Sequence, residues 1–151
     1  MRLTARADYA LRAAAELAAA APAQVKGAQL ADAQDIPPKF LENIMLDLTR
    51  AGLVASQRGA DGGYTLARPA AEIMLADVIR AIEGPLANVR GVRPESLAYA
   101  GPATALRDVW VAVRTNLRAV LEQVSLADLA AGTLPEHVIA LTQVSDAWDP
   151  H

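Results

Sequence analysis

The sequence predicts a mainly α-helical fold with one small β-hairpin, followed by a separate long helix. Alanine-rich segments favour helix, and apolar residues recur at three- and four-residue spacing along them. Glycines cluster between two short strand-like segments, which is typical of a hairpin. The chain has 151 residues, of which 53% are hydrophobic and 21% charged. This size and composition allow one hydrophobic core with a small appended element.

The first two helices are defined by their capping and turn residues. Thr4 can cap a first helix that extends to about residue 20, before Pro22. A short second helix fits residues 27–34. Two prolines at positions 37 and 38 follow it. They predict a turn, because proline disfavours helix in the residue before it but suits the first turn of a new helix.

A third helix is expected over residues 38–51, where apolar residues recur with helical periodicity. Gly52 then stands where a left-handed C-terminal cap is expected. The predicted buried face of this helix comprises Phe40, Leu41, Ile44, Met45 and Leu48.

A glycine-rich turn separates two short strand-like segments, residues 53–58 and 64–67. We expect a hairpin whose central residues have positive φ, which glycine adopts readily. Residues 75–83 fit a fourth helix, which Gly84 and Pro85 end. Helix, helix, turn, helix and hairpin is the element order of a winged helix-turn-helix, and we assign residues 1–83 to such a DNA-binding domain.

The second half of the chain predicts a dimerisation helix. Residues 84–102 are expected to form a loop, residues 103–132 a long helix with a short helix after it, and residues 133–151 a C-terminal tail. Apolar residues of the long helix recur at a coiled-coil-like spacing, and such a stripe needs a partner helix to cover it. This predicts a homodimer. The expected dimerisation residues are Leu106, Val109, Trp110, Val113, Leu117, Val120, Leu121 and Val124.

The charge of the chain does not by itself indicate nucleic-acid binding, because the formal net charge is −3. Up to residue 70 there are eight cationic and seven anionic side chains, and beyond it six and ten. The N-terminal part is therefore close to neutral and the acidity lies in the second half. The prediction of DNA binding depends on the pattern of residues and not on bulk charge.

The absence of cysteine excludes several kinds of site. Disulfides, thiolate nucleophiles, zinc–cysteine sites and cysteine-ligated iron–sulfur clusters all require it. The two histidines, His137 and His151, are not spaced to share a metal, so no metal site or cofactor is expected. No His/Asp/Ser set suggests catalysis, and Gly62-Gly63 lies in a hairpin where a phosphate-binding loop would not, so we expect no enzyme. Neither a signal peptide nor a membrane span is expected, which predicts a cytoplasmic protein.

Three polar residues near the start of the third helix are candidates for reading bases in the major groove. Glu42 can accept a hydrogen bond from a cytosine amino group, and Asn43 can pair with adenine. Lys39 can contact guanine or a phosphate. The alternative is that these residues form the solvated face of an ordinary helix. The turn before them and the hairpin after them favour contacts with DNA bases.

Arginines at the wing and the first helix are candidates for contacts with the DNA backbone and minor groove. Arg58 precedes the glycine turn, and an arginine at a wing tip can enter the minor groove, where the potential is most negative. Arg2 and Arg6 could contact phosphate, whereas Arg50 could equally serve solubility. The full set of predicted DNA-binding residues is Arg2, Arg6, Lys39, Glu42, Asn43, Arg50, Arg58, Gly59, Gly62 and Gly63.

These residues resemble the Rrf2 family of winged-helix repressors, which includes the iron–sulfur cluster regulators. Residues 1–12 resemble the family's first-helix signature, and residues 40–54 resemble its recognition-helix pattern. The most specific similarity is the segment 58–67, RGADGGYTLA, which resembles the family's wing. The resemblance extends over about residues 1–131, and Trp110 fits the family's long dimer helix.

The resemblance implies a homodimer that binds an imperfect palindrome and represses transcription, with Glu42 reading a base and Arg58 entering the minor groove. In the family that this chain resembles, members that bind an iron–sulfur cluster carry three cysteines in the loop that corresponds roughly to residues 86–103. This chain has no cysteine. Another subset uses a glutamate and a histidine of the first helix, where this chain has Asp8 and Arg12. The sequence therefore predicts a member without a cluster.

The signal that would release such a regulator from DNA is left open by the sequence. A small-molecule pocket could form from the apolar interior between the fourth and fifth helices together with Tyr99, Trp110, Arg90 and Arg93. Trp110, however, lies on an apolar stripe and fits a dimer core better. A protein effector is the other candidate. The alternative function for the whole chain is a winged-helix module that binds protein instead of DNA, a use that the same fold supports.

Overall fold

The computed structural model describes residues 3–150. Within them the chain forms seven α-helices and one two-stranded antiparallel sheet, with short 3₁₀ turns at Ala70–Glu72, Pro94–Ser96 and Gly101–Ala103. The elements in chain order are α1 (Ala5–Ala20), α2 (Gly27–Gln34), α3 (Pro38–Arg50), β1 (Val54–Gln57), β2 (Gly63–Leu66), α4 (Leu75–Glu83), α5 (Leu106–Leu121), α6 (Leu126–Ala131) and α7 (Glu136–Thr142). The predicted fold class, mainly helical with a small hairpin, is confirmed.

Helix α1 lies at the centre of the N-terminal half and packs against α2, α3, α4 and α6. It begins at Thr4, whose Oγ1 accepts a hydrogen bond from the amide of Ala7 at 3.2 Å. Four of its five buried residues are alanines, and small side chains let neighbouring helices approach closely. The core they share is completed by buried side chains from the other elements, including Leu30, Ile44, Met45, Leu48, Ile73 and Leu126.

The buried face of α3 differs from the prediction at one residue. Leu41, Ile44, Met45 and Leu48 are buried as expected, but the side chain of Phe40 is 56% exposed. Phe40 lies in the first turn of α3 at the edge of the buried face, and its ring meets the edge of the Tyr9 ring with the centroids 6.4 Å apart.

The long helix is shorter than the predicted segment. It was expected to begin at residue 103, but Gly101–Ala103 forms a 3₁₀ turn and α5 covers only Leu106–Leu121. The chain then turns back beside the start of α4. The amide of Leu75 donates to the carbonyl of Val124 at 2.9 Å, and the amide of Leu126 donates to that of Ile73 at 2.9 Å.

The residues after α5 are more structured than the sequence predicted. Ser125 caps α6, since its Oγ accepts from the amide of Asp128 at 3.1 Å. The expected tail contains α7, which starts after Pro135, buries Val138 and lies beside α5, where His137 Nε2 is 3.1 Å from the carbonyl of Ala119. Across residues 3–150, no helix combines the length and apolarity that crossing a membrane requires.

Candidate nucleic-acid interface

The outer face of α3 presents polar side chains near its N-terminus. Lys39, Glu42 and Asn43 are all exposed, whereas Leu41, Ile44, Met45 and Leu48 of the same helix are buried in the core. The Asn43 side-chain amide donates to the carbonyl of Lys39 at 3.3 Å, a weak local bond that leaves its carbonyl oxygen available. The helix therefore presents a donor, an acceptor and an amide at the end that enters a groove in helix-turn-helix proteins.

An ion pair holds α3 against α1. Arg6, the second residue of α1, pairs with Asp47 on α3, and Arg50 lies 3.7 Å from the same carboxylate. The sequence predicted Arg6 as a phosphate contact, and the structure places it between two helices, where it joins them. Arg2, a second predicted phosphate contact, lies outside the described residues.

The wing is a short hairpin with Arg58 at the start of its turn. The strands pair from Val54 with Leu66 to Gln57 with Gly63, and Arg58 follows directly in an exposed position. Within the turn, positive φ is confirmed only at Gly59, where it is 108°.

The expectation of positive φ is wrong at Gly62 and Gly63, where close approach of the backbone requires glycine instead. A Cβ on Gly62 would stand 2.2 Å from the carbonyl oxygen of Gln57, and one on Gly63 would stand 2.8 Å from that of Val25. Both distances are below any normal carbon–oxygen contact. A side chain at either position would therefore displace the wing.

The wing is tied to the helix-turn-helix by an isolated β-bridge that the sequence analysis did not predict. The amide of Val25 donates to the carbonyl of Tyr64 at 3.0 Å, and the amide of Tyr64 donates back at 2.8 Å. Val25 lies two residues before α2, so the bridge holds the hairpin against the start of α2.

This bridge creates a groove of about 460 Å³ between the start of α2 and the wing. Lys26 and Arg58 both line it, together with Ser56 and Gln57 of β1. Lys26 was missed as a candidate because it stands alone in sequence. The available signal was its position directly before a helix, where backbone amides and a cation together favour phosphate.

The first helix offers no site for an iron–sulfur cluster. Arg12 pairs with Asp8 at 2.7 Å, donates to the carbonyl of Gln34 at 2.8 Å and lies 4.7 Å from the centre of the Tyr9 ring. One subset of the Rrf2-like regulators holds cluster ligands at the positions of Asp8 and Arg12. In this chain these two residues pair with each other, and Arg12 joins α1 to the end of α2. Without any cysteine, the donor set does not fit a thiolate-ligated cluster, and residues 3–150 contain no group of three potential metal ligands.

Helix α5 leaves one flank of its apolar stripe uncovered. None of its residues is buried within the chain, and Val109 is 49% exposed. An apolar groove of about 1,010 Å³ runs between α5, the end of α4 and the loop after it. The predicted dimerisation residues that line it are Val109, Val113, Leu117, Val120 and Leu121.

The other predicted dimerisation residues are placed differently. Leu106 and Trp110 are partly buried, and Trp110 Nε1 donates to the Tyr99 hydroxyl at 3.1 Å. The prediction for Val124 is corrected by the structure, because this residue lies beyond α5 and is only 2% exposed within a single chain. Its side chain is already buried by the turn that returns the chain to α4.

Comparison with known proteins identifies the family. The family model named Rrf2, described as an iron-dependent transcriptional regulator, matches residues 3–132. The chain is 54% identical over 142 residues to Rv1287 of Mycobacterium tuberculosis (strain H37Rv), an HTH-type transcriptional regulator, covering 93% of this chain and 88% of that protein. It is 32% identical over 136 residues to the HTH-type transcriptional regulator CymR of Bacillus subtilis, covering 88% of this chain and 92% of CymR.

Solved structures agree with the sequence relatives. The global cysteine regulator CymR of B. subtilis superimposes with a TM-score of 0.74 at 32% identity, covering 88% of this chain and 98% of that one. IscR of T. potens superimposes with a TM-score of 0.71 at 30% identity, covering 87% and 88%. The relatives and the fold are those of transcriptional regulators and not of enzymes. The chain belongs to the Rrf2 family of DNA-binding transcriptional regulators.

Proposed function

We propose that this chain is a homodimeric repressor that binds a palindromic operator and does so without an iron–sulfur cluster. The observation that carries the proposal is the exposed polar face at the start of α3, next to a wing that is tied to α2. Together these give two adjacent contacts, one for the major groove and one for the minor groove.

Sequence readout is assigned to α3. Glu42 accepts a hydrogen bond from the amino group of a cytosine, and Asn43 pairs with an adenine or a neighbouring base edge. Lys39 contacts a guanine or an adjacent phosphate. Arg50, at the far end of α3 and largely exposed, is assigned to the DNA backbone.

The wing and the start of α2 are assigned to the flanking DNA. Arg58 enters the minor groove, and Gly59, Gly62 and Gly63 keep the turn narrow enough for it to approach. Lys26 faces Arg58 across the groove between the start of α2 and the wing. It contacts the DNA phosphates that lie between Lys26 and Arg58.

The dimer is supported by the uncovered flank of α5. Val109, Val113 and Val120 line an apolar groove that a second copy of α5 can fill, and a two-fold axis at this helix relates the two copies of α3 by symmetry. A symmetric pair of reading helices predicts a palindromic site with half-sites about one helical turn apart, or a multiple of it. The proposal of repression rests on the family resemblance. Transcription from a bound promoter in vitro measures whether the protein lowers or raises transcript levels.

The proposal is tested by selecting bound sequences from random DNA with the full chain. The expected result is a palindromic consensus, with an affinity that falls steeply as salt rises. Glu42→Ala should lose preference at one position in each half-site, by roughly tenfold or more against the wrong base. Arg58→Ala should weaken binding mainly to sites with AT-rich flanks, and Asp61→Asn, a charge change in the same turn, is the matched control.

Selection that yields no consensus from a folded protein would refute sequence-specific binding and favour the alternative of a protein-binding module. A consensus that Glu42→Ala and Arg58→Ala leave unchanged would instead contradict the docking geometry. An in vitro transcription assay in which added protein raises transcript levels would overturn repression while leaving DNA binding intact.

A further inference from the structure

Four arginines converge on a pocket that lies away from the predicted DNA-reading surface. Arg80 of α4, Arg93 of the following loop, and Arg114 and Arg118 of α5 line a cavity of about 270 Å³, with Leu86 as part of its apolar wall. We call this cavity the arginine pocket. Its residues come from three separate parts of the chain, so the concentration of charge arises only in the folded molecule.

The arginines exceed their acidic partners. Arg80 and Arg118 share one carboxylate, that of Glu122, and Arg114 pairs with Glu95. Among the described residues, Arg93 is the one arginine of the pocket outside any ion pair within 4.0 Å.

Both acidic partners carry their full negative charge near neutral pH. Hydrogen bonds from Arg118 and Arg80 hold the pKa of Glu122 below its ordinary value. A backbone hydrogen bond and Arg114 lower the pKa of Glu95 in the same way. Asp77 also lies near Arg80, at 3.8 Å, but it is shared with Arg68 at 4.0 Å. With Arg68 and Asp77 counted, five positive charges face three negative ones, which leaves the arginine pocket and its ion-pair partners with an excess of about two positive charges.

We propose that the arginine pocket binds a small organic dianion. Guanidinium groups match the planar, two-oxygen geometry of carboxylates and phosphates, and two such groups on one ligand would balance the excess charge. The volume admits a molecule of a few carbon atoms, and Leu86 provides contact for its apolar part. A dicarboxylate and a phosphate monoester share this chemistry.

Such a ligand would connect the DNA-binding half to the dimerisation helix. Arg80 belongs to α4, whose Val78 is part of the main core, whereas Arg114 and Arg118 belong to α5. A dianion that bridges them would change how α5 is held relative to the N-terminal half, and hence the distance between the two reading helices. This consequence rests on the proposed function, and linkage then requires that DNA and the dianion alter each other's affinity by the same factor.

Binding is tested by isothermal titration calorimetry on the full chain, without DNA. The probes are succinate and glycerol 3-phosphate, with butyrate and glycerol as their less charged counterparts. One site per chain is expected for at least one dianion, with at least tenfold weaker binding of its counterpart. Arg93→Gln and Arg114→Gln should each weaken that binding roughly tenfold or more, because each removes a charge-assisted hydrogen bond. Arg107→Gln is the matched control, since Arg107 is on α5 outside the pocket and, within residues 3–150, pairs with its neighbour Asp108.

The binding results separate the candidate ligands and can refute the site. Preference for succinate identifies a dicarboxylate site, and preference for glycerol 3-phosphate identifies a phosphate site. Absence of saturable binding by both dianions overturns the proposal, and so does an Arg107→Gln effect equal to that of Arg93→Gln, which would indicate nonspecific charge attraction. Arg93 is exposed and outside an ion pair, so its substitution leaves the fold intact.

A second measurement repeats DNA binding with and without the preferred dianion. A change in affinity that Arg93→Gln abolishes supports the coupling. Saturable dianion binding without sequence-specific DNA binding would support the arginine pocket as a ligand site and refute the proposed function. Failure of the ligand site and failure of the proposed function are therefore distinguishable.

Discussion

Single side chains of α1 and α3 have roles that their neighbours in sequence do not reveal. Arg6 resembles an exposed cation at the start of a helix, yet it pairs with Asp47 forty-one residues later. Phe40 fits a buried helical position by its spacing, yet it is mostly exposed and meets the Tyr9 ring. In both cases a contact with another helix decides the role.

The Arg6–Asp47 pair allows a test of whether Arg6 contacts DNA directly or orients α3. If Arg6 positions α3, Asp47→Asn and Arg6→Gln should weaken operator binding by a similar severalfold factor, and the double variant should be no worse than either one. Titration of a labelled operator measures this. Thermal stability should change little, because partly exposed ion pairs contribute about 1 kcal/mol or less.

If Arg6 contacts phosphate instead, Asp47→Asn releases it and binding becomes tighter. Arg50→Gln is the control for the second arginine beside Asp47. Tighter binding by Asp47→Asn would therefore contradict a positioning role for Arg6.

The wing acts as an element whose position depends on one β-bridge. Its strands are four residues each, too short to be stable alone, and Val25 pairs with Tyr64 to hold them against α2. Gly63 lies at the closest approach of the two backbones. The sequence suggested that glycine was needed for its dihedral angles, but the tertiary contact with Val25 is what excludes a side chain.

Gly63→Ala should therefore disturb the wing while leaving the helical core folded. The added methyl would stand 2.8 Å from the carbonyl oxygen of Val25, and overpacking of this kind costs about 1–3 kcal/mol. Urea unfolding followed by circular dichroism measures the loss, and operator binding should weaken at AT-rich flanks as for Arg58→Ala. Ala60→Ser, at an exposed position of the same turn, is the control. Unchanged stability and unchanged DNA affinity of Gly63→Ala would contradict the importance of the bridge.

For the whole molecule, the main feature is an α5 helix that the chain covers on one side only. Its packing within the chain involves chiefly the 94–96 turn and α4. The apolar groove beside it has a volume of about 1,010 Å³, and the α5 residues that line it repeat along one face. We propose that an interface between two copies buries this surface.

Val109→Glu should convert the dimer to a monomer without unfolding it, because Val109 is already 49% exposed in one chain. A buried unpaired carboxylate at the interface is strongly unfavourable, and the molar mass measured by light scattering should fall from twice the chain mass to 15.9 kDa. Operator affinity should fall with it. Thr115→Glu, an exposed residue of α5 outside the groove, should stay dimeric. A parent protein that is monomeric at high concentration would refute the dimer.

Much of the fold was predictable because its signals are local. Thr4 and Ser125 cap their helices, and Pro37 and Gly84 mark boundaries through backbone geometry alone. The exposed polar positions of α3 follow from helical periodicity, which places Lys39 and Asn43 opposite the buried residues and Glu42 on the flank beside them. Each of these depends only on residues a few positions apart, and their physical causes act before any tertiary contact forms.

Tertiary structure decided the features that depend on residues distant in sequence. Five features join segments that no local pattern relates. They are the end of α5, the burial of Val124, the Val25 bridge, the Arg6–Asp47 pair and the arginine pocket. The hairpin and helices of a winged helix-turn-helix were therefore predictable from residue order. How they are held together, and where charge accumulates between them, required the packed molecule, because electrostatic and van der Waals contacts depend on distance in space and not on separation along the chain.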